Sequence, residues 1–222
     1  MSQSSTLLMT QFVTHDVKRF LLRKPDDMRW EPGQGVALRI DEEKWQGTER
    51  PFTPTSLRED RVLELTIKRY SEREGVTSAL HALEPGAKLC LGQPFGTITY
   101  RGHGTFIAAG TGVTPFLAIF RDLASRNALS GEDRLLLSNK SEADVICGEE
   151  LKYYLGDRCV LTFTREHQLG QEGRRIDAAF LNAHIGERDQ SFYICGPDGF
   201  VRSVSEHLLS LGVHGDRLVV ER

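Results

Sequence analysis

Apolar residues in the first hundred positions of the chain occur in short runs that turn residues separate. The runs TLLMTQFV and VKRFLLRK are spaced as a hairpin, GVALRI follows the turn residues EPGQ, and AKLCLG is a further short run. In VLELTIKRY, apolar positions 63, 65 and 67 alternate with polar positions 64, 66 and 68, which is the period of a strand with two different faces. Only GVTSALHAL has helical spacing. The pattern predicts an antiparallel β-barrel.

The pattern changes after about Arg101, where short apolar strands begin to alternate with amphipathic helices. The predicted strands are TFIAAG, DRLLLSNK, RCVLTFTRE, SFYICG and DRLVVER, and the predicted helices are VTPFLAIFRDLASR, CGEELKYYL, IDAAFLNAHI and DGFVRSVSEHLLSLG. We expect Thr114 and Asp198 to cap the first and the last of these helices. Such alternation builds a parallel sheet with helices on both faces. The sequence therefore predicts two domains, a β-barrel at 1–101 and an α/β domain at 102–222.

The composition is that of a globular protein, and it narrows the classes of function. Of the 222 residues, 39% are hydrophobic and 27% are charged, and the net charge of −3 argues against a general nucleic-acid binder. The opening MSQSSTLLMTQFV has no basic region before an apolar core, and no apolar run reaches the ~18 residues of a membrane span. The four cysteines form no C-x-x-C pair, so we expect reduced thiols, no metal site and a cytoplasmic protein.

The stretch RPFTPTS, residues 50–56, combines an arginine, an aromatic ring, two prolines and three hydroxyls. Prolines remove backbone donors, so this stretch is not a central strand. The same prolines stiffen the backbone and hold the neighbouring side chains in place. Two interpretations follow. Either the stretch is a binding segment in which Arg50 holds an anionic group, or it is an edge strand with Arg50 in a surface ion pair.

Two glycine-containing turns follow strands of the second half, which is where ligands of open parallel sheets bind. In AAGTGVTP, Gly110 and Gly112 allow a tight turn, and a helix beginning near Val113 presents amide donors to an anion. This turn is a candidate diphosphate site, although a strand-to-helix turn also needs glycine for its geometry alone. In CGPDGF, Cys195 ends a strand, either beside a cofactor or as a small buried residue.

These stretches, in this order, give the chain a resemblance to the ferredoxin–NADP reductase family of flavoproteins. RPFT at 50–53 resembles the family's Arg-x-Tyr-Ser/Thr flavin motif, and GVTS at 75–78 resembles its second flavin motif. GQPFG at 92–96 resembles the turn that ends the barrel, and GTGVTP and CGP resemble the pyridine-nucleotide motifs. The resemblance covers essentially the whole chain. It implies an oxidoreductase that transfers a hydride from NADH or NADPH to FAD.

The resemblance also implies roles for individual residues. Arg50 would neutralise the flavin diphosphate, Phe52 would stack on the ring, and Thr53 would hydrogen-bond the reactive nitrogen. The expected catalytic residues are Thr53, Cys195 and Glu221. The expected cofactor-binding residues are Arg50, Phe52, Thr53, Ile67, Lys68, Tyr70, Gly75, Val76, Thr77, Ser78, Gly110, Thr111, Gly112, Val113, Thr114, Cys195, Gly196 and Pro197.

The chain departs from the family pattern at two places. Phe52 replaces the usual tyrosine, which preserves stacking but removes the phenolic hydroxyl. The sequence ends VVER, so Glu221 occupies the expected acidic position but no aromatic residue follows it to cover the flavin.

Three choices stay open at this point. FAD is favoured over FMN, because the resemblance implies that KRYSEREGVTS holds the diphosphate and adenosine of FAD. The residues SNK at 138–140 resemble members that use NADH, whereas Arg165, Arg174 and Arg175 around TRE resemble members that use NADPH. We expect electrons to leave to a separate acceptor such as flavodoxin or ferredoxin, with a haem protein or an oxygenase also open. The alternatives are a reductase of free flavin or small molecules, and a flavin-binding scaffold subunit of a larger complex.

Overall fold

A computed structural model describes residues 2–70, 75–96, 98–165 and 174–220 of the chain. The first half contains six antiparallel strands and one short helix. They are β1 (Gln3–Phe12), β2 (Val17–Arg23), β3 (Gly35–Ile40), β4 (Arg50–Phe52), β5 (Val62–Lys68), α1 (Val76–His81) and β6 (Lys88–Phe95). The sheet order is β4-β3-β6-β1-β2-β5, and a bridge between Pro54 and Leu65 joins its two edges. The predicted antiparallel barrel is confirmed.

The barrel core follows from the alternation along its strands. Leu63, Leu65 and Ile67 of β5 are at most 1% exposed and pack against Phe20 and Leu22 of the neighbouring β2. The predicted hairpin is also present, because β1 and β2 pair antiparallel through a tight turn. The opposite face of β5 is not a solvent face, since Glu64 and Thr66 are buried as well.

The second half is a parallel sheet covered by helices, as predicted. Its elements are β7 (Gly104–Ala109), α2 (Thr114–Ser125), β8 (Arg134–Asn139), α3 (Gly148–Leu155), β9 (Cys159–Phe163), α4 (Ala178–His184), β10 (Ser191–Cys195), α5 (Asp198–Ser210) and β11 (Leu218–Val220). The strand order is β11-β10-β7-β8-β9, and every pair is parallel. Apolar clusters lie on both faces of the sheet. Among the described residues, no helix combines the length and the apolar character needed to cross a bilayer.

Three local expectations were wrong. Thr114 is the first residue of α2 rather than its cap, because residues 110–113 form a 3-10 turn that brings the backbone into the helix, and its hydroxyl donates to the Thr111 carbonyl. Asp198 likewise begins α5 inside the helix, and Pro197 precedes it. The predicted turn at 92–96 is strand up to Phe95, since these residues pair with β3.

The two halves share one apolar core. Val17 of β2 and Ile98, which follows β6, belong to the cluster formed mainly by α2 and the second sheet. Gly33 shows how closely the chain packs here, because a Cβ atom at this position would stand 2.1 Å from the Ile98 carbonyl oxygen and 3.3 Å from Ile119 Cδ1. Its φ of +99° also favours glycine. The halves are therefore packed against each other rather than joined by a linker alone.

Candidate active site

The stretch RPFTPTS lies at the edge of the barrel sheet. β4 pairs with β3, and Pro54 then bridges to β5. The Arg50 side chain is exposed, and within the described residues its guanidinium donates one hydrogen bond, from Nη1 to the Glu49 carbonyl at 2.9 Å. Phe52 is half-buried against the barrel core, and Thr53 is half-buried. The first three residues of the stretch thus form an edge strand, but among the described residues its arginine has no acidic partner and can still bind an anion.

The end of β5 is tied to the beginning of α1. The Thr77 hydroxyl accepts from the Tyr70 amide at 3.3 Å, and the Ser78 hydroxyl donates to the Tyr70 carbonyl at 3.3 Å. Tyr70 itself is 55% exposed, so its ring is available for stacking. The Ile67 side chain is buried in the barrel, and its carbonyl hydrogen-bonds His81 Nε2 at 2.8 Å. Ile67 therefore offers a ligand no side-chain contact.

Gly75 and Val76 begin the short helix α1. Gly75 is in an extended conformation immediately before the helix, and its carbonyl accepts from the Ser78 and Ala79 amides. Val76 is 6% exposed and packs into the barrel core.

The Lys68 ammonium points towards the junction of the two halves. Its Nζ lies 2.5 Å from an Asp16 carboxylate oxygen and 3.9 Å from one of Asp144. These two carboxylates and the exposed His15 stand close enough together to suggest a cation site, but the Lys68 ammonium already pairs with both carboxylates. Lys68, expected to bind the cofactor, is therefore engaged by protein carboxylates.

The two glycine turns of the second half meet at one edge of the sheet. Cys195 at the end of β10 is in register with Ala108 of β7, so both strands end at the same level. Gly112 packs directly on the β10 turn, because a Cβ atom there would stand 2.3 Å from the Cys195 carbonyl oxygen. Gly110 has a φ of +54° and open space where a Cβ would project. The two glycines thus serve different purposes. Gly112 allows the turn to pack closely on the end of β10, and Gly110 leaves open space beside the turn.

Cys195 is half-buried and packs against the core beneath α2. Gly196, which follows it, lies against β7, since an added Cβ would stand 3.2 Å from Ala109 Cβ. Pro197 then leads into α5 and is exposed. The cysteine is therefore neither a fully buried core residue nor an open surface thiol.

Candidate groups for nucleotide selection flank the ends of β8 and β9. The Arg165 amide donates to the Lys140 carbonyl at 2.9 Å, and the Arg174 guanidinium lies 4.9 Å from the centre of the Phe180 ring. Arg165, Arg174 and Arg175 are all exposed. Asn139 is only 6% exposed, and its Nδ2 has no hydrogen-bond partner within the described residues. Such a buried, unpaired donor at the ligand edge of the sheet is costly unless a ligand accepts from it.

A cluster of ion pairs, which the sequence did not reveal, joins RPFTPTS at 50–56, called the flavin-motif stretch below, to α2. Arg121 Nη1 donates to the Thr55 carbonyl at 2.6 Å and to Glu64 Oε1 at 2.7 Å. Its Nε and Nη2 donate to the two carboxylate oxygens of Glu150 in α3, at 2.6 and 2.8 Å. Burial alone would lower the Arg121 pKa, but the Glu150 hydrogen bonds and the Glu64 charge outweigh it and raise the pKa.

The pKa of the Glu150 carboxylate is shifted in the opposite direction, downwards. Burial would raise its pKa, but the hydrogen bond and charge of Arg121 hold it below the usual value. Both shifts favour the charged forms of Arg121 and Glu150. In the sequence, Arg121 is an ordinary polar position on an amphipathic helix, so no local pattern distinguishes it. Glu221, the third expected catalytic residue, lies outside the described residues.

Two family models match the chain, one on each half. Residues 4–100 match the oxidoreductase FAD-binding domain, and residues 106–206 match the oxidoreductase NAD-binding domain. The chain belongs to the ferredoxin–NADP reductase-like flavoproteins. Its cofactors are therefore FAD and a nicotinamide nucleotide, as the motifs predicted.

Known members of this family are similar over nearly the whole chain. Nitrate reductase [NADPH] of Leptosphaeria maculans is 29% identical over 216 residues, which cover 84% of this chain and 24% of that protein. NADH-cytochrome b5 reductase 2 of Mycosarcoma maydis is 27% identical over 215 residues, covering 86% of this chain and 60% of that protein. The chain thus spans from a quarter to less than two thirds of these relatives.

The fold is also that of a solved family structure. The ferredoxin NADP+ reductase from Neisseria gonorrhoeae, with bound FAD and NADP, has a TM-score of 0.83 at 20% identity, and the match covers 99% of this chain and 98% of that one. The described residues of our chain fit both cofactors of the family. Arg50 keeps guanidinium donors for a diphosphate. At the nucleotide edge, the open Gly110 turn and the unpaired Asn139 amide provide space and a donor.

Proposed function

We propose that this chain is an NAD(P)H-dependent reductase that passes electrons through FAD to a separate redox protein. Residues 1–101 would bind FAD and residues 102–222 the nicotinamide nucleotide, in keeping with the two matched ranges. The observation that carries the proposal is the meeting of the two halves. β5, which leads to the Tyr70–Ser78 flavin region, contacts the Gly110–Val113 turn, which in turn packs on Cys195.

The role that we propose for each residue follows from its position in the fold. Bound FAD supplies the hydride-accepting and electron-carrying chemistry. Arg50 would hold the diphosphate through charge-assisted hydrogen bonds, and Thr77 and Ser78 would bind beside it at the start of α1. Phe52 and Thr53 would contact the ring from the edge strand. Gly110 to Thr114 would hold the nucleotide diphosphate, and Cys195 would set the position of the nicotinamide.

A redox-protein acceptor is supported by the relatives' names, which include cytochrome b5 reductases and a ferredoxin reductase component. Such acceptors take single electrons, which a flavin can release one at a time. Among redox proteins we propose ferredoxin or flavodoxin first and a b-type cytochrome second. We also propose NADH over NADPH, because the residues SNK at 138–140 resemble those of members that use NADH.

The test has two stages. The purified protein should be yellow, and NADH should bleach it under anaerobic conditions. In steady-state turnover, NADH should give a higher kcat/KM than NADPH. The reduced protein is then mixed with ferredoxin, flavodoxin, cytochrome b5 or free FMN. We expect at least one protein acceptor to exceed free FMN in kcat/KM. A higher value for free FMN would favour a small-molecule reductase, and yellow protein that neither nucleotide bleaches would favour a scaffold subunit. An NADPH advantage of about tenfold, equivalent to ~1.4 kcal/mol, would reverse the nucleotide choice.

A further inference from the structure

The Arg121 guanidinium occupies a specific place between the two cofactor sites. It sits on α2, two helical turns after Thr114 and therefore roughly 10 Å along the helix from the nucleotide turn. On the barrel side it contacts the carbonyl of Thr55, two residues after Thr53 of the flavin motif. This side chain thus joins α2, which begins beside the Gly110–Val113 turn, to the end of the RPFTPTS stretch.

The barrel side of this contact is itself held firmly. The Thr55 hydroxyl donates to Glu64 Oε1 at 2.7 Å, and the Thr55 amide donates to the Glu64 carbonyl at 2.8 Å. The Ser56 hydroxyl accepts from the Glu64 amide at 3.0 Å. Arg19 adds an ion pair at 3.2 Å to the second Glu64 oxygen. The end of RPFTPTS is therefore fixed to β5, and β5 to Arg121.

The helix side is held as firmly. Glu150 binds the guanidinium through both oxygens, and the Tyr154 hydroxyl donates to the same carboxylate at 3.1 Å. Arg121 uses Nε, Nη1 and Nη2 together, and its side chain is 15% exposed. A bidentate arginine–carboxylate pair has a fixed planar geometry, which a flexible lysine cannot reproduce. The pair therefore fixes the orientation of the Arg121 guanidinium as well as attracting it to Glu150.

We propose that Arg121 is a positioning residue for hydride transfer, fixing the flavin-motif stretch relative to the nucleotide-binding helix. This inference rests on the proposed function. Hydride transfer depends on the separation of two reacting atoms, and a misplacement of about 1 Å can cost roughly 100-fold in rate. A loosened contact between Thr55 and α2 changes that separation without removing any group that touches either cofactor.

The test compares Arg121→Met, Arg121→Lys and a control, Arg126→Met. Arg126 lies on the same helix, and its side chain is 54% exposed and pairs with Asp122. Anaerobic stopped-flow mixing gives the limiting rate of flavin reduction and the Kd for the nucleotide. We expect Arg121→Met to slow the limiting rate by about 10- to 100-fold with unchanged flavin content and a Kd within about threefold of wild type. Arg121→Lys should recover part of the rate, and Arg126→Met should match wild type.

A second readout does not depend on turnover. Amide hydrogen exchange of the purified protein without nucleotide should become faster at residues 55–57 in Arg121→Met, and not in the control. Faster exchange with a reduction rate within twofold of wild type would show a purely structural role and overturn the inference. If Arg121→Met fails to fold, Glu150→Gln, which keeps the volume but removes the charge, must show the same split between rate and Kd. Failure of wild type to be bleached would refute the proposed function instead.

Discussion

At the scale of single residues, Arg50 and Cys195 differ in their exposure and in the contacts that surround them. Arg50 is exposed on an edge strand, its guanidinium makes one hydrogen bond to a backbone carbonyl, and no carboxylate within the described residues competes for it. Cys195 is partly buried, and its backbone is packed under Gly112. The arginine can therefore act by charge, whereas we expect the cysteine to act through its position.

Replacing Arg50 with alanine should weaken FAD binding. Loss of a charge-assisted hydrogen bond costs about 1.5–3 kcal/mol, which is one to two decades in Kd. Titration of apoprotein with FAD, followed by flavin fluorescence, measures the change. Arg61→Ala is a matched control, because Arg61 is an exposed barrel arginine outside the motif. If Arg50→Ala binds FAD as tightly as this control does, Arg50 does not hold the diphosphate.

Replacing Cys195 tests position against packing. Cys195→Ala should slow flavin reduction by up to roughly 100-fold, because the nicotinamide loses the group that sets its distance from the flavin. Cys195→Ser should do less harm, since it keeps the size and a polar atom. Flavin content should stay constant in both variants. An unchanged reduction rate together with a lowered Tm would return the cysteine to a packing role.

At the scale of elements, the sequence correctly predicted which segments form strands and helices. It did not predict what covers the second face of a strand or what precedes a helix. The alternation in β5 correctly placed its apolar face in the barrel, but Glu64 on the other face is buried by contact with α2. A strand's period shows that two faces differ, not what covers the second one. The caps at Thr114 and Asp198 failed for a similar reason. The backbone before each helix is fixed by packing between the glycine turns, which outweighs the local preference for a capping side chain.

The short helix α1 carries a pH-sensitive contact. His81 Nε2 bonds the Ile67 carbonyl, and the ring packs edge-on against Phe20. Burial lowers the His81 pKa. The Ile67 hydrogen bond opposes this, the charges of Lys18 and Arg69 reinforce it, and Asp16 opposes it again. Because the folded pKa lies below the unfolded value of about 6.5, the unfolded chain binds the proton first. Stability from this group is complete above about pH 6.5 and falls as the pH drops below it.

We therefore predict that the Tm of His81→Gln depends less steeply on pH between 7 and 5 than that of wild type. Glutamine can still donate to the Ile67 carbonyl but does not titrate. The control is His103→Gln, because the His103 side chain is 49% exposed and lies at the protein surface. Thermal unfolding at several pH values measures the slopes. Equal slopes for wild type and His81→Gln would show that another group dominates.

At the scale of the whole molecule, the halves are joined by both apolar and charged contacts. Val17 and Ile98 enter the core under α2, and Arg58 pairs with Asp122 at 3.5 Å beside the Arg121 cluster. The sequence predicted each half separately, since each has its own period. It could not predict their docking, because the interface residues look like ordinary surface positions until both sheets are in place. The positioning role that we propose for Arg121 belongs to this level, which was the least predictable from the sequence.

The shared core predicts that the two halves unfold together. Leu181 of α4 is fully buried on the face of the second sheet away from the barrel, in a cluster that contains none of the described barrel residues. Leu181→Ala should cost about 2–5 kcal/mol from lost contacts and the cavity left behind. If the halves form one cooperative unit, this remote change lowers the temperature of FAD release as much as that of helix melting. Flavin fluorescence and far-UV circular dichroism on the same sample give the two temperatures. Two separate transitions, with only the helical signal moved by Leu181→Ala, would mean that the barrel folds and holds FAD independently of its partner.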